Sequence, residues 1–172
     1  MKFFHTCLSL FILTRTALAD GAAIVTAMDS ISQSNAALNS TIVSWNGDLL
    51  GTLPILTKST TLLASLHDAT KVAQASAQLN TIEAVTVAFA TNDLVAETNL
   101  TLTNIIAARP KFDELLLRPI ILLSLNQQKE ASDEFSAAVV EKVPEELRGA
   151  ADALVAALDE VFGVALESYE LF

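Results

Sequence analysis

Apolar positions recur along most of this chain at steps of three and four, the spacing that lays side chains along one face of an α-helix. Ile24, Met28, Ile31, Asn35, Leu38, Ile42 and Trp45 form one such stripe, which predicts a first helix over residues 22–45. Asn46-Gly47-Asp48 ends it, with Gly47 suited to the left-handed cap. A second helix is predicted over residues 53–77. Pro54 falls in its first turn, where proline is tolerated, and Leu56, Leu63, Leu66 and Ala73 form its buried side, interrupted by Thr60 and Thr70. The third is predicted over residues 80–108. Asn80 and Glu83 have the spacing of a capping box at its start, and the preference of a pre-proline residue for extended backbone ends it before Pro110. A fourth spans residues 110–142, kinked or broken at Pro119. The fifth starts at Pro144, with Glu145 and Glu146 favourable against the helix N-terminus and Leu147, Ala151, Leu154, Leu158, Val161 and Ala165 as its stripe. No strand-like alternation persists, and only 5 Gly and 4 Pro punctuate the chain. The expected fold is all-α, a single antiparallel bundle of about five helices.

Residues 1–19 stand apart from this pattern. Lys2 gives a basic start, an apolar stretch follows, and Ala17-Leu18-Ala19 offers the small-x-small pattern of signal-peptidase cleavage. These residues read as a secretory signal, leaving residues 20–172 as one helical domain. The apolar stretch is shorter than the roughly 20 residues that span a bilayer. Cys7, the single cysteine, leaves with the signal, so the mature domain must hold together by packing without cystines. The chain carries 10 basic and 20 acidic residues, net −10, and loss of Lys2 and Arg15 takes the mature charge to −12. Such a charge repels nucleic-acid phosphates and anionic lipid. The charged end of the chain, Glu167 to Phe172, lacks the spacer and apolar tail of a GPI signal. A secreted, extracellular protein is expected, wall-associated without such an anchor if associated at all.

Residues 115–125 are the most informative segment. Large aliphatic side chains there point all round the helix, and a helix apolar on every side is either enclosed by its neighbours or meets something apolar. Both readings stand. Under the second, Leu116, Ile120 and Leu123, with Leu63 and Phe89 from the second and third helices, are the candidate contacts to an apolar ligand or surface. Alanines along the seams, among them Ala84, Ala88, Ala150 and Ala153, either draw helices together or leave room between them. Asn35, Thr60, Asn92 and Gln127 interrupt apolar stripes as register-fixing groups or as contacts to a ligand head group. Sequons occur at Asn39 and Asn99. Asn39 flanks its stripe and is expected to be exposed, whereas Asn99 shares a face with Val95, Leu102 and Ile106 and is expected to be buried.

Catalysis finds little support. His67, the one histidine of the mature chain, lies beside Asp68, but adjacent helical residues point about 100° apart and make no dyad. No phosphate loop, zinc motif or nucleophile elbow occurs, and the acidic pairs read as solvation and capping. No catalytic residue, metal ligand or cofactor is assigned.

The chain resembles the fungal hydrophobic surface-binding protein A family, which includes lipid-binding cell-wall mannoproteins. The resemblance is carried by the first helix, by Ala107-Ala108-Arg109-Pro110-Lys111-Phe112-Asp113, by Phe135, and by Glu141-Lys142-Val143-Pro144-Glu145-Glu146-Leu147. It implies a secreted, non-enzymatic helical bundle that adsorbs to hydrophobic surfaces or encloses fatty acids between its helices. It also implies recruitment of a secreted polyester-degrading hydrolase. The alternative function is a structural or antigenic cell-wall mannoprotein acting through protein or glycan contacts.

Overall fold

A computed structural model of the chain describes residues 18–170. The proposed signal, with Cys7, lies outside these but for the first residues of the first helix. Five helices follow in order: α1 (Leu18–Ser44), α2 (Thr52–Ala75), α3 (Thr81–Glu114), α4 (Arg118–Lys142) and α5 (Arg148–Tyr169), with a single 3-10 turn, Glu145–Leu147, before the last. No strand occurs among the described residues, as the sequence pattern requires.

The helices close a ring. α1 packs on α2 and α3, α2 on α4, α4 on α5, and α5 on α3, while α3 and α4 meet little beyond their shared turn. Long-range bonds give the directions. Ser34 meets Ser65 across α1 and α2, which a short turn makes antiparallel. Ser59 meets Ser124 while Gln74 meets Lys142, the same order along both helices, so α2 and α4 are parallel. Lys129 meets Asp159 across antiparallel α4 and α5.

The α1 stripe buries as expected: Ile24, Met28, Ile31, Asn35, Leu38, Ile42 and Trp45 all face the core. Asn80 caps α3 by accepting from the Ile82 and Glu83 amides, and Glu83 returns a bond from the Asn80 amide, completing the capping box. On α2 the buried set is Thr52, Ile55, Ser59, Leu62, Leu66, Ala69, Thr70 and Ala73. Leu66 and Ala73 are thus buried as expected, whereas Leu56 and Leu63 are half-buried beside Ile55 and Leu62, Thr60 is exposed and Thr70 is buried.

The prolines correct the expected boundaries. Pro110 does not end the third helix, which runs through it to Glu114, and Pro119 does not interrupt a helix but sits in the first turn of α4. Proline in a helix interior loses one hydrogen bond and strains the preceding turn, at about 3 kcal/mol. Here tertiary packing outweighs that. Phe112, just beyond Pro110, is buried and stacks on Trp45 at 4.5 Å between centroids. The chain turns at residues 115–117 instead. The Leu117 amide bonds the Phe112 carbonyl and the Leu116 amide bonds the Asp113 carbonyl, which is the Schellman arrangement. Its left-handed position holds Leu116, at φ 57°, where glycine is usual.

Tyr169 packs against Phe112 with centroids 6.5 Å apart, extending the aromatic stack from α1 through α3 to α5. Its hydroxyl donates to the Ile105 carbonyl at 2.7 Å, and burial pushes its phenol well above the ordinary value. This anchors the C-terminal end of α5, where Phe162, Ala165 and Tyr169 are buried. No residue of α5 from Arg148 to Val161 is fully buried.

Candidate functional site

The unburied half of α5 borders a cavity of about 550 Å³. Its wall comes from α3 (Ala84, Val87, Ala88, Phe89), α4 (Phe135, Val139, Val140), the following turn (Val143, Leu147) and α5 (Ala150, Ala151, Leu154, Val155), with Met28 of α1 behind. Thr91, Asn92 and Ser136 are the polar lining residues and none is charged. The volume lies within the roughly 300–1,000 Å³ of small-molecule pockets. Its origin is local side-chain size. α3 and α4 stand apart across the ring, and at this level alanines and valines face the gap where Trp45, Phe112 and Tyr169 fill it at the other end. The small residues Ala84, Ala88 and Ala151 therefore leave room here. Phe89 is 70% exposed at the mouth, beside exposed Val85 and Ala150.

Charge holds α5 in place outside this wall. Lys129 donates to Asp133 of its own helix at 2.6 Å and pairs with Asp159 of α5 at 2.7 Å. Burial of the ammonium disfavours its charge, but the bonds it donates to the two carboxylates outweigh that and raise its pKa. At the other end of the bundle Arg118 donates from Nε and Nη2 to the two oxygens of Asp113, at 2.7 and 2.5 Å. These bonds hold the Asp113 carboxyl below its ordinary value.

Of the expected contact residues, Phe89 lines the cavity. Leu63 is half-buried against the core and lines no part of it. Leu116, Ile120 and Leu123 are exposed at the opposite end of the ring, Leu116 by 85%. The α4 face of the cavity, Phe135 and Val139 with Val143 beyond, is absent from the sequence-based set. Its signal was the step of four between these residues, continued on α3 by Ala84 and Ala88.

A polar seam crosses the core beside the cavity. Gln128, buried on α4, donates to Ser59 of α2 at 2.7 Å. The expected stripe residue Gln127 is exposed instead, as is Asn92. Asn35 is buried with no protein partner for its amide nitrogen, beside a void of about 30 Å³ that Thr98, Thr101, Gln128 and Ser132 also line. The sequons reverse the expectation. Asn39 is half-buried and accepts a bond from Asn104 at 2.7 Å, because α1 and α3 are ring neighbours, whereas Asn99 is exposed. His67 is exposed, with Nδ1 3.9 Å from Glu134, and Asp68 bonds Lys71. Among the described residues no cluster of metal-ligating side chains forms, and no helix is long and apolar enough to cross a membrane.

Comparison with known proteins fits this geometry. The family described as hydrophobic surface binding protein A matches residues 21–141. Cell wall mannoprotein 1 of Aspergillus flavus is 27% identical over 143 residues. That match covers 83% of this chain and 52% of the relative, so the chain spans about half the relative's length. A crystal structure of Afmp4p in complex with palmitic acid superposes with a TM-score of 0.84 at 21% identity, covering 87% of this chain and 99% of that one. Ligand binding domain 2 of the Penicillium marneffei MP1 protein, complexed with multiple arachidonic acids, does so at 0.81 and 20% identity, covering 88% and 96%. At these identities the likeness establishes the shared five-helix fold.

Proposed function

Because the chain belongs to the hydrophobic surface binding protein A family, we propose that it holds acyl chains of the fatty-acid class in the α3–α4–α5 cavity, adsorbs to hydrophobic surfaces, and catalyses no reaction. The observation that carries the first part is the cavity itself: about 550 Å³ with an almost wholly apolar, uncharged wall. Each methylene moved from water to such a wall contributes about 0.8 kcal/mol. A dozen give a gross value near 10 kcal/mol, association costs at least about 4 of these, and the roughly 6 kcal/mol that remains corresponds to an affinity of about tens of micromolar. The palmitic and arachidonic acids bound by the two structural neighbours support this choice of ligand class. Access runs past the half of α5 that buries nothing fully, while Tyr169 keeps the other half docked. Thr91, Asn92 and Ser136 offer the acyl head group hydrogen bonds without charge.

Titrating palmitate into delipidated protein by calorimetry tests this reading. The wild type is expected to take up ligand, and Ala88→Phe or Ala151→Phe, which fill the cavity, to weaken uptake at least about tenfold. No uptake by the wild type, or equal uptake by both variants, overturns it. Mass spectrometry of lipids extracted from the secreted protein identifies the natural occupant.

Export belongs to the same reading, with residues 1–19 as the signal, as does cell-wall association, supported by the mannoprotein relative. Recruitment of a secreted polyester-degrading hydrolase belongs to the proposal as well: a protein fixed on a polyester surface would present its remaining faces to such an enzyme. A second reading, as a wall mannoprotein acting through glycan, is favoured by the exposed sequon at Asn99. Asn99→Gln should remove any glycan while leaving acyl uptake unchanged.

A further inference from the structure

Half of the large apolar side chains exposed among the described residues collect at one end of the ring, opposite the cavity. Leu49 and Leu50 occupy the α1–α2 turn and Leu53 the first turn of α2. Leu116 occupies the α3–α4 turn, and Ile120 and Leu123 follow it by four and seven residues on one face of α4. Because α2 and α4 are parallel, with Ser59 beside Ser124, the two turns lie at the same level. Leu116 adds an independent observation. Its backbone is left-handed at a position that suits glycine, and its side chain is 85% exposed, so nothing in the fold uses the leucine.

We propose that this end of the bundle is the face by which the protein docks on an uncharged, hydrocarbon-like surface. The inference rests on the surface-binding part of the reading above and not on the cavity. Charge selects the occupant. Arg118 is engaged by Asp113, which Arg109 also approaches at 3.5 Å, and Lys111 donates to the Trp45 carbonyl at 2.7 Å. Asp48 and Glu114 are exposed beside the two turns, and Lys58 lies further along α2. A face whose nearest cations are engaged and whose flanks are acidic, on a chain of net charge −10, gains nothing from anionic headgroups. An uncharged surface offers the six side chains burial and brings no charge of its own to desolvate.

Adsorption to octadecyl-coated beads tests the assignment. The full chain is compared with a tip variant (Leu50→Ser, Leu53→Ser, Leu116→Ser, Ile120→Ser) and a control variant altered at exposed apolar residues elsewhere (Leu100→Ser, Val164→Ser). The tip variant should bind at least about tenfold less protein at equal free concentration, while the control binds as wild type. Both should take up a fluorescent fatty-acid probe as wild type does, which reports intact folding and an independent cavity. Equal adsorption by tip variant and wild type, or equal losses in tip and control variants, overturns the location and leaves surface binding standing. Failure of the wild type to adsorb overturns both. A wild-type dimer in sedimentation that the tip variant dissolves assigns the face to a second copy. Tip-dependent binding to phosphatidylserine vesicles but not to beads assigns it to a membrane. Either result overturns the proposal.

Discussion

Replacing Leu116 by glycine should not destabilise this protein, although removing a leucine ordinarily does. The side chain is 85% exposed, so the burial it forfeits is only a small part of the 1.5–3 kcal/mol of a fully buried leucine, about 0.3 kcal/mol. Its φ of 57° places an L side chain in the left-handed region, at about 1–2 kcal/mol, which glycine relieves. Against that, glycine adds roughly 0.4–1 kcal/mol of chain entropy to the unfolded state. The balance is a gain of about 0.5 kcal/mol, or a rise of about 1–2 °C in Tm for a domain of this size. Leu116→Val should move the other way by about 1 kcal/mol, because a β-branched side chain crowds this backbone further. Urea titration at constant m measures both. A loss above 1 kcal/mol in the glycine variant would refute the claim that the leucine contributes nothing to folding, and with it part of the case for a docking role.

Gly163 lies within α5 with open space where the methyl group of an alanine would stand, so Gly163→Ala should raise stability by about 0.5–1 kcal/mol; no gain on thermal melting would show that α5 is not helical there in solution. Asn35→Leu removes a buried amide nitrogen that has no protein partner and should be neutral or stabilising by about 1 kcal/mol, whereas a loss above 1 kcal/mol in urea would show that the amide is satisfied. Asp113 has a folded-state pKa below the ordinary 3.8, so its contribution is present above that value and is lost as pH falls below it. Asp113→Asn should therefore be less stable than wild type near neutrality, and the difference should shrink in acid. A difference independent of pH from 7 to about 2 would count against the Arg118 pairing.

How much of this was legible in the sequence depended on whether each helix had one way to face its neighbours. α1 has one apolar stripe, and all seven residues read from it are buried. α2 has paired apolar residues, Ile55 with Leu56 and Leu62 with Leu63, and periodicity alone settles on either member of each pair. The choice is made by α4, where Gln128 bonds Ser59 and turns Ile55 and Leu62, not Leu56 and Leu63, fully inward, while Leu66 and Ala73 are buried as expected. Residues far apart in sequence also decide Pro110 and Asn39. The stack of Phe112 on Trp45 carries α3 through its proline, and Asn104 covers the sequon that α1 by itself would have exposed.

The position of the cavity follows from constraints that no single helix contains. α3 is tied to α1 near its start, where Gly21 approaches the Glu83 side chain so closely that a Cβ there would lie 2.8 Å from it. α4 is tied to α2 near its end, where Lys142 donates to the Gln74 carbonyl and the Leu79 amide bonds the Lys142 carbonyl. α5 is pinned by Tyr169 at one end and by Lys129–Asp159 midway. With its neighbours fixed and its own anchors set by larger groups, α5 has little freedom to tilt inward and close the gap that Ala84, Ala88 and Ala151 leave. A wall of small residues collapses when the backbone is free to follow, and stays open when it is not. The same aromatic end that anchors α5 carries the exposed leucines on its outside. The fold thus places its best-packed region next to the surface proposed to meet an interface, and its hollow region at the far end, where the proposed acyl ligand would enter without disturbing that contact.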